Sequence, residues 1–480
     1  MKKILYIISI VLLFVSVSFA YTSYPIKSAL ISVGSTFAGA DSAAELAHFD
    51  IILMNRLKWD DVDSNTFTAV HAINAATKFF IYQLAFATIE ASDGGAASSL
   101  NNIARWDTVY DGDGLTSLDA NHADYFMLND SEDTRIYIGA SEMLLRFADA
   151  APRNYWITAT LFDIVGRDWE DAGVFGDNNL VILDTSGADM LSKMNDTPEA
   201  DYDSNAEWFT AIQNQLNAYV SGLGAQGQLY IPNVGDSSRW SDADAQYTAI
   251  DGLANSPYGM LIEAFTGDQW GAGGTKWQIF GEAEWKNQID VMAGMGNVRT
   301  IGALRTPTLS SIEDSGTDSR DNAYYGYDAL WYVLGSYFMG RDSAGLAHVA
   351  FGWSYSTVAD IMDELDALDL GLPVGAYTQD YDGNDGLYAR EYERAWVFVN
   401  PSLGDIADIN RPEAWREITH GTINTAWDNL SVSGATFTLN EGRAKIFIKE
   451  TAAILGSPLN SITVGTNQIT VGTNQIEIVE

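Results

Sequence analysis

Eight short apolar runs are spaced along the chain, at residues 49–55, 78–85, 125–130, 155–166, 228–234, 258–265, 298–305 and 347–354. Most are continuous in hydrophobicity rather than alternating. A strand with one wet face alternates, whereas a strand buried on both faces does not, and the second kind belongs to parallel sheets. Helical patterns lie between several of the runs. Ser64 can cap a helix through Ala76. Asp203 or Ser204 can cap one that carries Trp208, Phe209, Ile212, Leu216 and Tyr219 on one face and ends at Gly222 and Gly224. Thr275 can cap a third, holding Trp277, Phe280, Trp285 and Ile289, and residues 324–338 and 357–368 supply two more. Strand and helix alternating in this way predict an α/β protein, a (β/α)8 TIM barrel over 21–372. The third strand, at 125–130, has a competitor in 135–138.

The texture changes after Leu372. Short β-like pieces follow, separated by Gly and Asn turns, and predict a small antiparallel β domain over 373–457. The tail, 458–480, holds a seven-residue sequence twice, from Ile462 to Gln468 and from Ile469 to Gln475. Two copies are too few for a solenoid, so the tail is expected to be an extension, either a recent duplication or a strand that docks at the cell surface. At the other end, a basic start (Lys2, Lys3), an apolar stretch and small residues up to Ala20 predict a signal peptide over 1–20 and a secreted, extracellular or periplasmic protein. A membrane anchor is the competing reading, for which the stretch is short. The chain has no cysteine, so stability must come from the core, and 14 Trp, 23 Tyr and 20 Phe allow a large one.

The net charge of −38 argues against nucleic acid and anionic membranes as partners. It also disfavours strongly anionic polymers as substrates. The five histidines, 48, 71, 122, 348 and 420, show no metal spacing. Asp380 to Glu391 loosely follows a calcium loop, but its glycine is one position late and an Asp/Gly turn accounts for it. No phosphate loop and no nucleophile elbow occurs. No cofactor is expected.

In barrels of this kind chemistry sits where strands end. Two runs carry a carboxylate there, Asp163 in the fourth and Glu263 in the sixth. An ionisable group inside an apolar run costs desolvation free energy, so it has a partner or a role. Facing each other across strand five, the pair could serve as nucleophile (Asp163) and acid/base (Glu263) in cleavage of a glycosidic bond. The competing reading pairs one or both acids with Arg167 or Arg305 inside a barrel layer. Asp168 is the substitute nucleophile if strand four runs longer. Asn55, Trp59, Asp168, Trp169, Asn233 and Trp353 also fall at strand ends, where amides can bind hydroxyls and indole faces can stack on sugar rings. Each Trp could equally pack a loop onto the barrel.

Four stretches resemble the secreted TIM-barrel proteins grouped as hypothetical glycosyl hydrolase family 15. They are Phe49 to Asn55, Leu161 to Trp169, Gly259 to Phe265, and Tyr388 to Pro401 with Arg390, Tyr392 and Asn400. The resemblance spans roughly 30–455. It implies a glycoside hydrolase acting on an oligo- or polysaccharide, with Asp163 and Glu263 in the roles of nucleophile and acid. Related barrels often show Asp-Gly ahead of strand four, where this chain has Ile157-Thr-Ala-Thr160. Shared fold is not shared function. A carbohydrate-binding barrel without activity and a surface structural protein remain the alternatives.

Overall fold

The computed structural model of the chain describes residues 26–32, 43–54, 64–85, 87–89, 122–127, 136–138, 142–165, 172–177, 179, 204–234, 243–268, 276–304, 315–350, 368–411, 415–418, 435–449, 462–464, 467–471 and 476–479. Eight strands make one parallel sheet: β1 (Ser28–Ser32), β2 (Ile51–Met54), β3 (Lys78–Leu84), β4 (Ala172–Asp177), β5 (Tyr230–Pro232), β6 (Gly259–Ile262), β7 (Arg299–Ala303) and β8 (Ala347–Ala350). Neighbours follow the order β5-β4-β3-β2-β1-β8-β7-β6. A parallel bridge between Asn233 and Leu261 brings the end of β5 against β6 and closes the ring. Seven helices lie between successive strands: α1 (Ala43–Leu46), α2 (Ser64–Ile73), α3 (Ala150–Val165), α4 (Asn205–Gly224), α5 (Ala243–Asp251), α6 (Glu282–Gly294) and α7 (Gly326–Gly340). The expected (β/α)8 barrel is the fold.

Strand side chains sort by parity. Ala29, Leu53, Phe80, Phe175, Ile231, Leu261, Ile301 and Ala350 pack together in the barrel interior. Their neighbours, among them Ile52, Val174, Met260 and Val349, pack outward against the helices. Both faces are dry, which is why the runs are continuous in hydrophobicity.

Three assignments differ from the sequence reading. β1 lies ahead of the first apolar run, so the runs at 49–55 and 78–85 are the second and third strands. Residues 125–127 do not supply a barrel strand: Ala123–Tyr125 is a 3-10 turn and Phe126 bridges Leu145, while 128–130 lie outside the described residues. The described part of the run at 155–166, up to Val165, is helical and belongs to α3. Its aromatic and β-branched residues favour a strand intrinsically. Tertiary packing overrides that preference, because Pro152, Trp156, Ala159 and Thr160 fall on one buried face at helical spacing. Trp156 stacks on Tyr219 of α4 at 4.0 Å and donates to the Leu84 carbonyl at 2.7 Å.

The fourth strand is instead Ala172-Gly-Val-Phe-Gly-Asp177. Its two glycines are poor strand formers, yet the packing requires them. A Cβ on Gly173 would lie 2.4 Å from the Phe80 ring, and one on Gly176 would lie 2.0 Å from the Tyr230 hydroxyl. The connection from β3 to α3 carries a small antiparallel sheet of Ala87–Ile89, Glu142–Leu144 and Tyr137–Ile138.

Beyond the barrel, β9 (Tyr388–Glu391), β10 (Ala395–Asn400), β11 (Trp415–Ile418) and β12 (Arg443–Lys449) form an antiparallel sheet in the order β9-β10-β12-β11. Helix α7 is buried along almost its whole length, as a helix apolar on all sides must be. Its Gly335 allows close approach to the sheet, since a Cβ there would sit 2.5 Å from that of Ala444. Arg390 of β9 donates through Nη1 to the carbonyls of Phe338, Met339 and Arg341, at 3.0, 2.6 and 2.6 Å. A cation on the last carbonyls of a helix satisfies acceptors that the helix leaves open and complements its dipole.

Candidate active site

Parity carries three polar side chains into the mouth of the barrel. Phe175, Ile231 and Leu261 face the interior, and Asp177, Asn233 and Glu263 each stand two residues further along, on the same face. They end β4, β5 and β6, three consecutive strands around the ring. Asn233 is buried, and Asp177 and Glu263 are partly exposed.

One amide joins the two acids. Asn233 Nδ2 donates to Asp177 Oδ1 at 2.6 Å and to Glu263 Oε2 at 3.0 Å. The triangle inequality therefore holds these two carboxylate oxygens within about 5.6 Å of each other. The other oxygen of Asp177, Oδ2, accepts from the Tyr82 hydroxyl on β3. Both oxygens of Asp177 are thus held by donors, which fixes the orientation of the carboxylate.

The supporting structure is dense. The Asn233 backbone N–H donates to the Gly176 carbonyl at 2.7 Å. Buried Asn179 donates to the same carbonyl and to the Tyr230 hydroxyl, each at 2.9 Å, and so ties the turn after β4 to β5. Burial pushes the Tyr230 phenol well above its ordinary value and keeps it neutral. After Glu263 the chain turns through Thr266, which holds φ 66, a costly conformation for a β-branched residue. Gln288 of α6 clamps that turn. Its Oε1 accepts from Thr266 N at 2.7 Å and its Nε2 donates to the Ala264 carbonyl at 2.6 Å. Local strain held by a buried amide beside a strand-end carboxylate marks a turn whose geometry matters more than its local stability.

Of the residues singled out in the sequence, Asn233 and Glu263 come together in the mouth. Asp163 does not reach a strand end, because its segment is helix α3 of the outer ring. Asn55, Trp59, Asp168, Trp169 and Trp353 lie outside the described residues, as do Arg167 and Arg305. Sequence reasoning missed Asp177 and Tyr82. The available signal was parity within Val174-Phe-Gly-Asp177, obscured by glycines that weaken the strand pattern. Among the described residues no cluster of three or more His, Asp or Glu is arranged to hold a metal ion.

The sequence model of a family described as hypothetical glycosyl hydrolase family 15 matches residues 71–396, more than half of the chain and inclusive of Asp177, Asn233 and Glu263. No curated protein matches. Solved structures that resemble the chain include a noncanonic maltogenic alpha-amylase from Thermotoga neapolitana, at 8% identity and TM-score 0.39, covering 89% of this chain and 96% of that one. A GH31 family sulfoquinovosidase from E. rectale is 12% identical with TM-score 0.41, covering 90% of this chain and 62% of that one. A xylosidase from Aspergillus niger is 8% identical with TM-score 0.41, covering 90% and 66%.

Proposed function

The chain belongs to hypothetical glycosyl hydrolase family 15, and we propose that it cleaves glycosidic bonds with retention of anomeric configuration, using Asp177 as nucleophile and Glu263 as acid/base. The observation that carries this reading is the shared amide, with one Asn233 nitrogen bonded to both carboxylates. Retaining pairs stand about 5–5.5 Å apart, and inverting pairs stand about 6.5–9.5 Å apart to admit a water. The bridged oxygens lie within about 5.6 Å of each other, which favours the closer, retaining arrangement. Asp177, short and held at both oxygens by Tyr82 and Asn233, suits in-line attack on an anomeric carbon.

In the first step Glu263 gives its proton to the glycosidic oxygen as the bond to the anomeric carbon breaks. An oxygen of Asp177 forms an ester with that carbon. In the second step Glu263 takes a proton from water, whose oxygen displaces Asp177. Asn233 donates to both acids and keeps their separation constant between the steps.

The substrate class is a neutral or weakly charged oligo- or polysaccharide, since a chain of net charge −38 repels polyanions. Trp59, Trp169, Trp353, Asn55 and Asp168 are retained as candidate sugar contacts. Lys2, Lys3 and the apolar stretch after them support export, with association to the cell surface through the tail. Hydrolysis of a panel of aryl glycosides and neutral polysaccharides tests the reading. Asp177→Asn and Glu263→Gln should each abolish turnover with folding intact, while Asp163→Asn should leave it. Activity that survives in Asp177→Asn would defeat the assignment.

A further inference from the structure

A cavity of about 480 Å³ lies away from the mouth, between the first turns of α7 and the antiparallel sheet. That volume is within the range of small-ligand sites, roughly 300–1,000 Å³. Tyr327, Asp328 and Trp331 of α7 form one wall, and Glu417, Arg443 and Lys445 form part of the other. Because α7 follows β7, its first turns sit at the end of the barrel where the strands finish, so the cavity flanks the same face as the carboxylates.

Three properties of the cavity select its ligand. It is electrically balanced, with Lys445 paired to Glu417 at 2.6 Å and Arg443 beside Asp328 at 3.8 Å. In a chain of net charge −38 such a balanced patch carries little field to hold an ion, yet it offers donors and acceptors side by side. Its aromatic lining is Tyr327 and Trp331, and Tyr327 is held by stacking on Tyr325, outside the cavity, at 5.0 Å and 8°. Finally, Trp331 is 8% exposed and, among the described residues, its buried indole N–H has no hydrogen-bond partner. A buried donor without an acceptor calls for an explanation, and an acceptor brought by a ligand is one.

An aromatic lining beside paired charges and an unpaired buried donor matches a polyhydroxylated, uncharged ring. We propose that this cavity is a second, non-catalytic binding site for a neutral oligosaccharide, which holds a glycan chain beside the face of the barrel where it is cut. The proposal rests on the glycan-cleaving reading for the identity of the ligand, and on the cavity alone for its place.

The test is calorimetric titration of the full chain carrying Asp177→Asn with maltoheptaose, cellohexaose, xylohexaose and mannohexaose, and with inorganic phosphate as an anionic control. Two further proteins carry Tyr327→Ala or Trp331→Phe in addition; the second removes the N–H and keeps one aromatic ring. The expected result is a class of sites for at least one sugar that weakens tenfold or more in both cavity variants. Any binding at the mouth should be unchanged in them, and phosphate should not bind. Sugar isotherms identical in all three proteins, no binding of any sugar, or preferential binding of phosphate would overturn the proposal. Loss of hydrolysis assignments at Asp177 and Glu263 with cavity binding retained would defeat the catalytic reading alone.

Discussion

Replacing Asn233 by Ala isolates the element that organises the mouth. The side chain makes two bonds, at 2.6 Å to Asp177 and 3.0 Å to Glu263. A hydrogen bond to a charged group contributes about 1.5–3 kcal/mol. The bond to the protonated Glu263 contributes about 0.5–1.5 kcal/mol, so losing both sets a ceiling of about 2–4.5 kcal/mol, and water entering the gap recovers part of it. Without the amide, the Asp177 carboxylate and the protonated Glu263 carboxyl lose the donor that fixes their separation, so they are expected to move apart. A net loss of about 1.5–3 kcal/mol of transition-state stabilisation lowers kcat/KM roughly 10- to 150-fold. The backbone bonds of Asn233, to Gly176 and across to β6, do not involve its side chain. The barrel should therefore stay closed, and Tm should fall by only a few degrees. Initial rates on the best substrate, with circular dichroism on the same samples, decide it. Activity within threefold of the parent in a folded variant would refute the bridging role.

Other predictions address the support and the fold. Tyr82→Phe removes one donor to Asp177 and should lower kcat by about 10-fold to 100-fold with KM little changed, read by steady-state kinetics. Gly176→Ala places a methyl group 2.0 Å from the Tyr230 hydroxyl and should destabilise the chain by about 1–3 kcal/mol in urea unfolding. Arg390→Met removes the guanidinium from the Met339 and Arg341 carbonyls, leaves the Phe338 carbonyl to the Tyr392 hydroxyl alone, and should cost about 2–4 kcal/mol by the same measurement. His348 is held at about 4 by burial, against the pull of Asp50 and with Arg299 and Lys27 adding to the depression. The unfolded chain binds this proton below about pH 6.5 and the folded chain does not until about pH 4. Stability should therefore be fully present above about pH 6.5 and fall by roughly 3 kcal/mol toward pH 4. Unfolding at pH 7.5 and pH 5 should show a smaller difference in His348→Gln than in the parent.

The barrel was legible because burial on both faces leaves continuous apolar runs, as in Phe79 to Leu84 and Met260 to Ile262. β6 and β5 were placed correctly, and with them the strand-end positions of Glu263 and Asn233. β4 was not, for a physical reason. Its glycines make room for Phe80 and Tyr230, so the strand carries little of the apolar bulk that marks its neighbours. Tyr155 to Val165 carries that bulk and was taken for the strand. Its buried positions follow a helical period that only the packing on Tyr219 and Leu84 makes evident. One substitution of segment thus moved the predicted nucleophile from Asp177 to Asp163. The link between α7 and β9 through Arg390 was likewise visible only as a motif, because its acceptors lie some fifty residues earlier in the chain.

The most direct measurement is the site of covalent attachment. A retaining enzyme incubated with 2-deoxy-2-fluoro glycosyl fluorides matched to its best substrate accumulates a glycosyl ester, which peptide mass spectrometry locates. The account predicts the sugar on Asp177, with no label in Asp177→Asn. A label on Asp163 or any other residue, or an active enzyme that releases inverted product and is never labelled, would contradict it.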